Sequence, residues 1–175
     1  MTTIYDDIGE VVASLMDVTI IDSNAKGYGA PYYMFGHRRE ISNRVSNKTK
    51  DSIAKFQKFP LIALRLDIKE QHDKTAVKMF LNIAIITNTS AGLNAEQRLE
   101  QVFKPILYPL YKNFLAKIKV YKNFLILDSF EPTHEKYDRM FWGKAAEEGN
   151  LENLFAEPID AIELINLEVS KRIKC

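Results

Sequence analysis

Asp67-Ile68-Lys69 is the one short motif in this chain whose residue types and spacing could carry out a reaction. Metal-dependent nucleases place an acid and a lysine two apart at the end of a strand. There the period of two puts carboxylate and ammonium on one face, beside a divalent cation. The chemistry also needs a further acid, usually from the preceding strand. Asp51 is upstream but in a polar stretch, and the following apolar segment, Met79 to Thr87, has no acid. A strand running out into charged solvent-facing residues explains the same three positions.

The remaining candidates are weaker still. His37, His72 and His134 are far apart and have no second His or Cys at ligand spacing. His134, in Thr133-His134-Glu135-Lys136-Tyr137-Asp138, reads as a loop or surface histidine. There is no Gly-x-Ser-x-Gly motif, and Cys175, the single cysteine, is the last residue and a poor nucleophile candidate. One cysteine excludes an intrachain disulfide and a Cys-based zinc site, and a reducing compartment is the simplest setting. Gly27-Tyr28-Gly29 lacks the third glycine, the Lys-Ser/Thr pair and the following helix of a phosphate loop. No catalytic residue, metal site or cofactor is expected.

Charge is distributed unevenly along the chain. His37 to Lys58 carries seven bases (Arg38, Arg39, Arg44, Lys48, Lys50, Lys55, Lys58) and two acids (Glu40, Asp51), a local net of +5. Asp128 to Glu163 carries ten acids and three bases, a local net of −7. Two solvated surfaces would account for this. The functional reading is a complementary pair that steers one copy onto the next or onto a partner. The interface residues it suggests are Arg38, Arg39, Arg44 and Lys48 against Glu131, Asp138, Glu147 and Glu148. The aromatic run Tyr32-Tyr33-Met34-Phe35 beside the basic stretch is either a core strand or an exposed edge for subunit contact, with Tyr33 and Phe35 supplying apolar affinity.

These residues must be held by a single domain, since 175 residues suffice for one and are short for two. The hydrophobic fraction of 46% is that of a folded chain, and the net charge of +1 disfavours a globally basic nucleic-acid binder. No run is long and apolar enough to cross a bilayer. The first residues carry Asp6, Asp7 and Glu10 and no Lys or Arg before Lys26, unlike a signal peptide, so a soluble protein is expected. Residues 3–16 have helical spacing, Val18 to Ile21 reads as a short strand, and Asp22 to Pro31 as a loop.

Tyr32 to Ile41 reads as extended. The polar stretch 37–58 reads as an exposed arm or hairpin, mobile until a neighbour orders it. Leu61 to Ile68 alternates as a half-buried strand. It is joined to a central strand, Met79 to Thr87, by a loop of six residues or more. Asn94, with Gln97 in capping-box position, opens the longest helix. Its stripe is Leu99, Phe103, Ile106, Leu110, Phe114 and Ile118, with a kink or break expected at Pro105 and Pro109. Phe124 to Leu127 reads as a strand, and 128–158 as an irregular acidic region. Ile159 to Ile173 is a last strand whose phase slips between Leu164 and Ile165, as a β-bulge would cause. The expected fold is α+β, a mostly antiparallel sheet flanked by two helices, with a long polar arm.

Several phrases resemble the tail terminator (tail-completion) proteins of long-tailed bacteriophages and prophages. They are Phe59-Pro60-Leu61-Ile62-Ala63-Leu64 before the strand hairpin, Phe103-Lys104-Pro105-Ile106-Leu107-Tyr108-Pro109-Leu110-Tyr111 in the main helix, and Asp138-Arg139-Met140-Phe141-Trp142-Gly143 before the terminal strand. The resemblance implies a structural virion protein, not an enzyme. It would form a ring, commonly six-fold, at the head-proximal end of the tail, where it ends tube polymerisation and meets the head connector. The implied partners are other copies of the chain, the tail tube protein and a head-connector protein. DNA passes through such a ring without specific recognition, no membrane is involved, and assembly takes place in the host cytoplasm. The other readings of the residues are the nuclease built on Asp67 and Lys69 and a connector or small adaptor protein.

Overall fold

The computed structural model describes residues 31–50, 59–120, 132–140 and 158–172. The helix and strand expected within residues 3–21, the strand at 124–127 and the sites at Glu131, Glu147 and Glu148 lie outside them. In chain order the elements are β1 (Tyr32–Gly36), α1 (Arg38–Lys50), β2 (Leu61–His72), β3 (Ala76–Asn88), α2 (Ala95–Arg98), a π-helical stretch (Leu99–Leu107), α3 (Tyr108–Val120), β4 (His134–Met140) and β5 (Ile159–Arg172). The strands form one sheet in the order β1-β2-β3-β5-β4. β1 runs parallel to β2, and every other pairing is antiparallel. The fold is α+β with a mostly antiparallel sheet, as the sequence implies.

The alternation in β2, β3 and β5 sorts their side chains into two cores. On one face Ile62, Leu64, Met79, Leu81, Ile83, Ile85, Ile162, Leu164 and Leu167 pack against Val102, Phe103, Leu107, Leu110, Phe114 and Ile118 of the main helix. Each such fully buried side chain contributes about 1.5–3 kcal/mol. On the other face Leu61, Ala63, Ala84, Ile86, Ile159 and Ala161 meet Ile41 and Val45 of α1. Ala63 stands opposite Ala84 in the ladder, so this face presents small side chains where α1 crosses it.

That second helix corrects the expected arm. Residues 38–50 are helical. Gly36 ends β1 at φ 148°, where a Cβ would come within 2.7 Å of Glu40 Oε2. The Ile41 amide then donates to the His37 carbonyl (3.0 Å), the Arg39 amide to His37 Nδ1 (3.3 Å), and Arg44 pairs with Glu40 one turn away. Two apolar side chains four apart, Ile41 and Val45, with Ser42 between them, are buried, and the helix satisfies its own backbone. Too few apolar residues for an apolar run are enough for one turn-to-turn contact. Likewise Tyr32–Gly36 alone is extended, and the region expected to be irregular contains β4, whose HEKYDRM sequence acquires strand structure by pairing with β5.

The hairpin is tighter than expected, since β2 and β3 run on to His72 and from Ala76 and leave three residues between them. The capping box forms, with the Asn94 amide donating to Gln97 Oε1 (3.0 Å) and the Gln97 amide to Asn94 Oδ1 (2.9 Å). Neither proline breaks the main helix. It widens instead into nine residues of π-helix around Pro105, and the Tyr108 amide reaches back five residues to Phe103. The wider turn moves Leu99 off the expected stripe into solvent and turns Arg98 inward.

Arg98 is 1% exposed. It donates from Nε to the Leu93 carbonyl (3.1 Å), from Nη1 to Thr89 Oγ1 and Asp160 Oδ1 (both 2.8 Å), and from Nη2 to the Ser90 carbonyl (2.7 Å). Removing one partner of a buried pair strands the other charge, so Arg98→Met should cost about 3–5 kcal/mol. The double change Arg98→Met with Asp160→Leu should cost less than Asp160→Leu alone. Chemical denaturation of the three variants checks both statements. Ile41→Ala should cost about 2–5 kcal/mol in the same measurement, whereas an unattached arm would give no change.

Candidate functional site

Of the predicted interface residues, Tyr33 and Phe35 lie on β1 at one end of the sheet order, Arg38, Arg39, Arg44 and Lys48 belong to α1, and Asp138 belongs to β4 at the other end. Among the described residues β1 is an edge strand, and α1 follows it immediately. Tyr33 and Phe35, two apart, share a face and stack with centroids 6.3 Å apart and planes 25° apart. Tyr33 packs against the main-helix core, and Phe35 is 43% exposed, so the aromatic run supplies both a core strand and an exposed apolar group. The Tyr33 hydroxyl is buried and has no hydrogen-bond partner among the described residues. Burial pushes its ionisation well above the ordinary tyrosine range.

The basic residues divide by role. Arg38 approaches buried Glu163 of β5 (Nη2 to Oε2, 4.0 Å) and so faces its own sheet. Arg44 is tied to Glu40 along the helix. Arg39 is exposed. Lys48 belongs to α1, and its side chain lies outside the description, as does that of Asp138 on β4. Two of the ten acids in 128–163 are likewise internal, Glu163 beneath α1 and Asp160 against Arg98. Charge reading alone could not separate these from surface acids, because their burial depends on strand pairing.

β4, carrying Glu135, Lys136, Asp138 and Arg139, is the opposite rim. It meets the main helix through paired side chains. Tyr111 Oη and His134 Nδ1 lie 3.0 Å apart with ring centroids at 4.8 Å. Lys136 Nζ donates to Tyr108 Oη (3.0 Å) and sits 4.8 Å over the Tyr108 ring. Desolvation raises the Tyr111 ionisation, and the Lys136 charge opposes that rise. His134 is therefore a strand residue with an aromatic partner.

Asp67 and Lys69 lie within β2, where a bulge separates Arg65 from Lys69 in the register with β3. Asp67 pairs with Arg65, and Lys69 stands 5.9 Å from the centre of the Phe80 ring. Among the described residues no group of three His, Cys, Asp or Glu side chains is placed to hold a metal ion, and no helix is long and apolar enough to cross a membrane.

Because Arg38 lies over Glu163, Arg38→Glu should bring two carboxylates together and lower stability by on the order of 1 kcal/mol, the half-exposed arginine limiting the effect. Arg39→Glu should leave the melting temperature unchanged. Thermal melts of the two variants side by side check the distinction. Comparison with protein-family models and with curated proteins finds no match to this chain.

Proposed function

We propose that this protein is a structural component of a bacteriophage tail, a terminator that assembles head-to-tail into a ring at the head-proximal end, stops tube polymerisation and offers a surface to the head connector. The observation that carries this reading is the placement of two unlike surfaces on opposite rims of one sheet. β1 lies at one rim, and β4, whose Glu135 and Asp138 are balanced by Lys136 and Arg139, lies at the other, while the basic α1 crosses the face between them. A head-to-tail ring requires two such different sides on each subunit, whereas a two-fold dimer uses one side twice. The phrases 59–64, 103–111 and 138–143 add the resemblance to the terminator family. A structural protein of this kind carries out no reaction and needs no cofactor. Its partners are its own copies, the tail tube protein and the connector, and its place is the virion after assembly in the host cytoplasm.

Light scattering tests the assembly directly. The purified protein should give a mass that is a whole multiple of 20.1 kDa, with rings visible by negative-stain microscopy. Added to polymerising tube protein of the same phage, it should shorten the tubes in proportion to its concentration. A particle that stays at 20.1 kDa and leaves tube length unchanged would sink the reading.

A further inference from the structure

The main helix carries two stripes that cannot both be buried. Counted back from Leu110 at about 100° per residue, an α-helix puts Leu99 about 20° from the core direction and Arg98 about 120° from it. That register buries Leu99, Phe103, Ile106 and Leu110 and leaves Arg98 in solvent. The structure instead buries Arg98, Val102, Phe103, Leu107 and Leu110, with Leu99 37% exposed and Ile106 partly covered. The two stripes share Phe103 and Leu110, and the nine π-helical residues from Leu99 to Leu107 convert one into the other. Runs of π-helix are rare and mostly a single turn long, so this one needs something to hold it. Its stripe does not, since the wide register turns an arginine inward and a leucine outward. Pro105 disfavours the α register, where its ring meets the Gln101 carbonyl, but a kink would relieve that contact too. What suits the wide register alone is the set of acceptors around Arg98: Asp160, Thr89 and the Ser90 and Leu93 carbonyls.

We infer that residues 99–107 are a two-register element, and that the buried Arg98–Asp160 pair selects the π register over the α register. With the pair made, the guanidinium keeps its counter-charge at a site 1% exposed. With the pair broken, that charge is left in the interior uncompensated. Rewinding to α-helix takes it out to water and brings Leu99 onto the stripe. The two arrangements are discrete, because an amide in this segment bonds back either four residues or five. The outer surface of the helix changes with the register, presenting Leu99 in one and Arg98 in the other. A partner docking there meets an apolar or a cationic side chain accordingly, and its preference for one shifts the balance between them. This inference is independent of the ring reading.

Thiol reactivity reads the register. In a Cys175→Ser background, Leu99→Cys puts the only thiol at the position that changes, on a small apolar side chain. Ala116→Cys, exposed on α3, is the control. Modification by a water-soluble thiol reagent is timed in the folded protein with Asp160 in place and with Asp160→Leu. Asp160→Leu should slow the thiol at position 99 about tenfold or more and leave the one at 116 unchanged, with circular dichroism still that of a folded chain. Pro105→Ala with the pair intact should leave the rate at 99 as it was. Equal rates at 99 with and without Asp160→Leu overturn the inference. So does a Pro105→Ala effect as large as that of Asp160→Leu, since the proline and not the pair would then hold the register. Should Asp160→Leu fail to fold, Asp160→Asn, which keeps the shape and removes the charge, decides by the same criterion: slowing at 99 supports the inference and an unchanged rate overturns it.

Discussion

A cation shut away from water is the constraint on which the rest of this fold depends. Taking the Arg98 guanidinium out of solvent costs several kcal/mol unless its donors are met. They are met by a set of acceptors that do not lie together in sequence: Thr89 and Ser90 at the end of β3, Leu93 before the helix cap, and Asp160 near the start of β5. The arrangement therefore works only if the β3–helix connection, the first helical turn and β5 hold fixed positions together. The Thr89 amide donating to the Pro158 carbonyl (3.0 Å) closes the same corner. From that corner the main helix is aimed down the sheet, and Phe103, Leu110, Phe114 and Ile118 reach the core on the strength of that direction.

The sheet adapts to the helix through two irregularities that share one side chain. β2 bulges between Arg65 and Lys69, and β5 has its extra residue near Asn166, whose φ of 53° is the left-handed conformation that asparagine tolerates better than most residues. Asn82 lies on β3 between them. Its Nδ2 donates to the Asp67 carbonyl (3.2 Å), and its Oδ1 accepts from the Asn166 amide (3.0 Å). Each bulge leaves a backbone group out of the ladder, and one amide side chain satisfies one from each. The two bulges are thus coupled through Asn82 across three strands. Asp67 sits inside this device, with its carboxylate on Arg65 and its carbonyl on Asn82, which gives the acid-x-Lys spacing a structural explanation.

What the sequence made legible was whatever has its own local period or cap. The alternation of Leu61 to Ile68 and Met79 to Thr87, the Asn94–Gln97 box, and the phase slip after Leu164 are each visible without knowing a partner. What was not legible depends on a partner. α1 shows only Ile41 and Val45 as an apolar face, and its burial needs the alanines of the neighbouring strands. β4 has no apolar alternation and is a strand because β5 is beside it. Arg98 looks like any helical arginine until the π-helical stretch around Pro105 rotates the first turn. The interface residues follow the same division. The aromatic run left Phe35 open between core strand and exposed edge until the structure put it 43% exposed, and Arg38 and Glu163, which looked like surface charges, meet each other across the sheet.

That division changes what the charge asymmetry can do. Once Glu163 and Asp160 are taken up inside the subunit and Arg44 is engaged by Glu40, fewer free charges remain at the two rims than the sequence totals suggest. Exposed pairs are worth little each and are screened within about 10 Å at 0.1 M salt. In the proposed ring, charge would serve to orient an approaching copy and not to hold it. In the proposed ring the strength of a lasting contact would come from groups that charge does not replace, such as the exposed apolar surface of Phe35. The turn at Gly36 joins β1 directly to α1, which then crosses the sheet face, with Arg38 over Glu163 of β5 and Ile41 and Val45 on the small side chains of β2, β3 and β5.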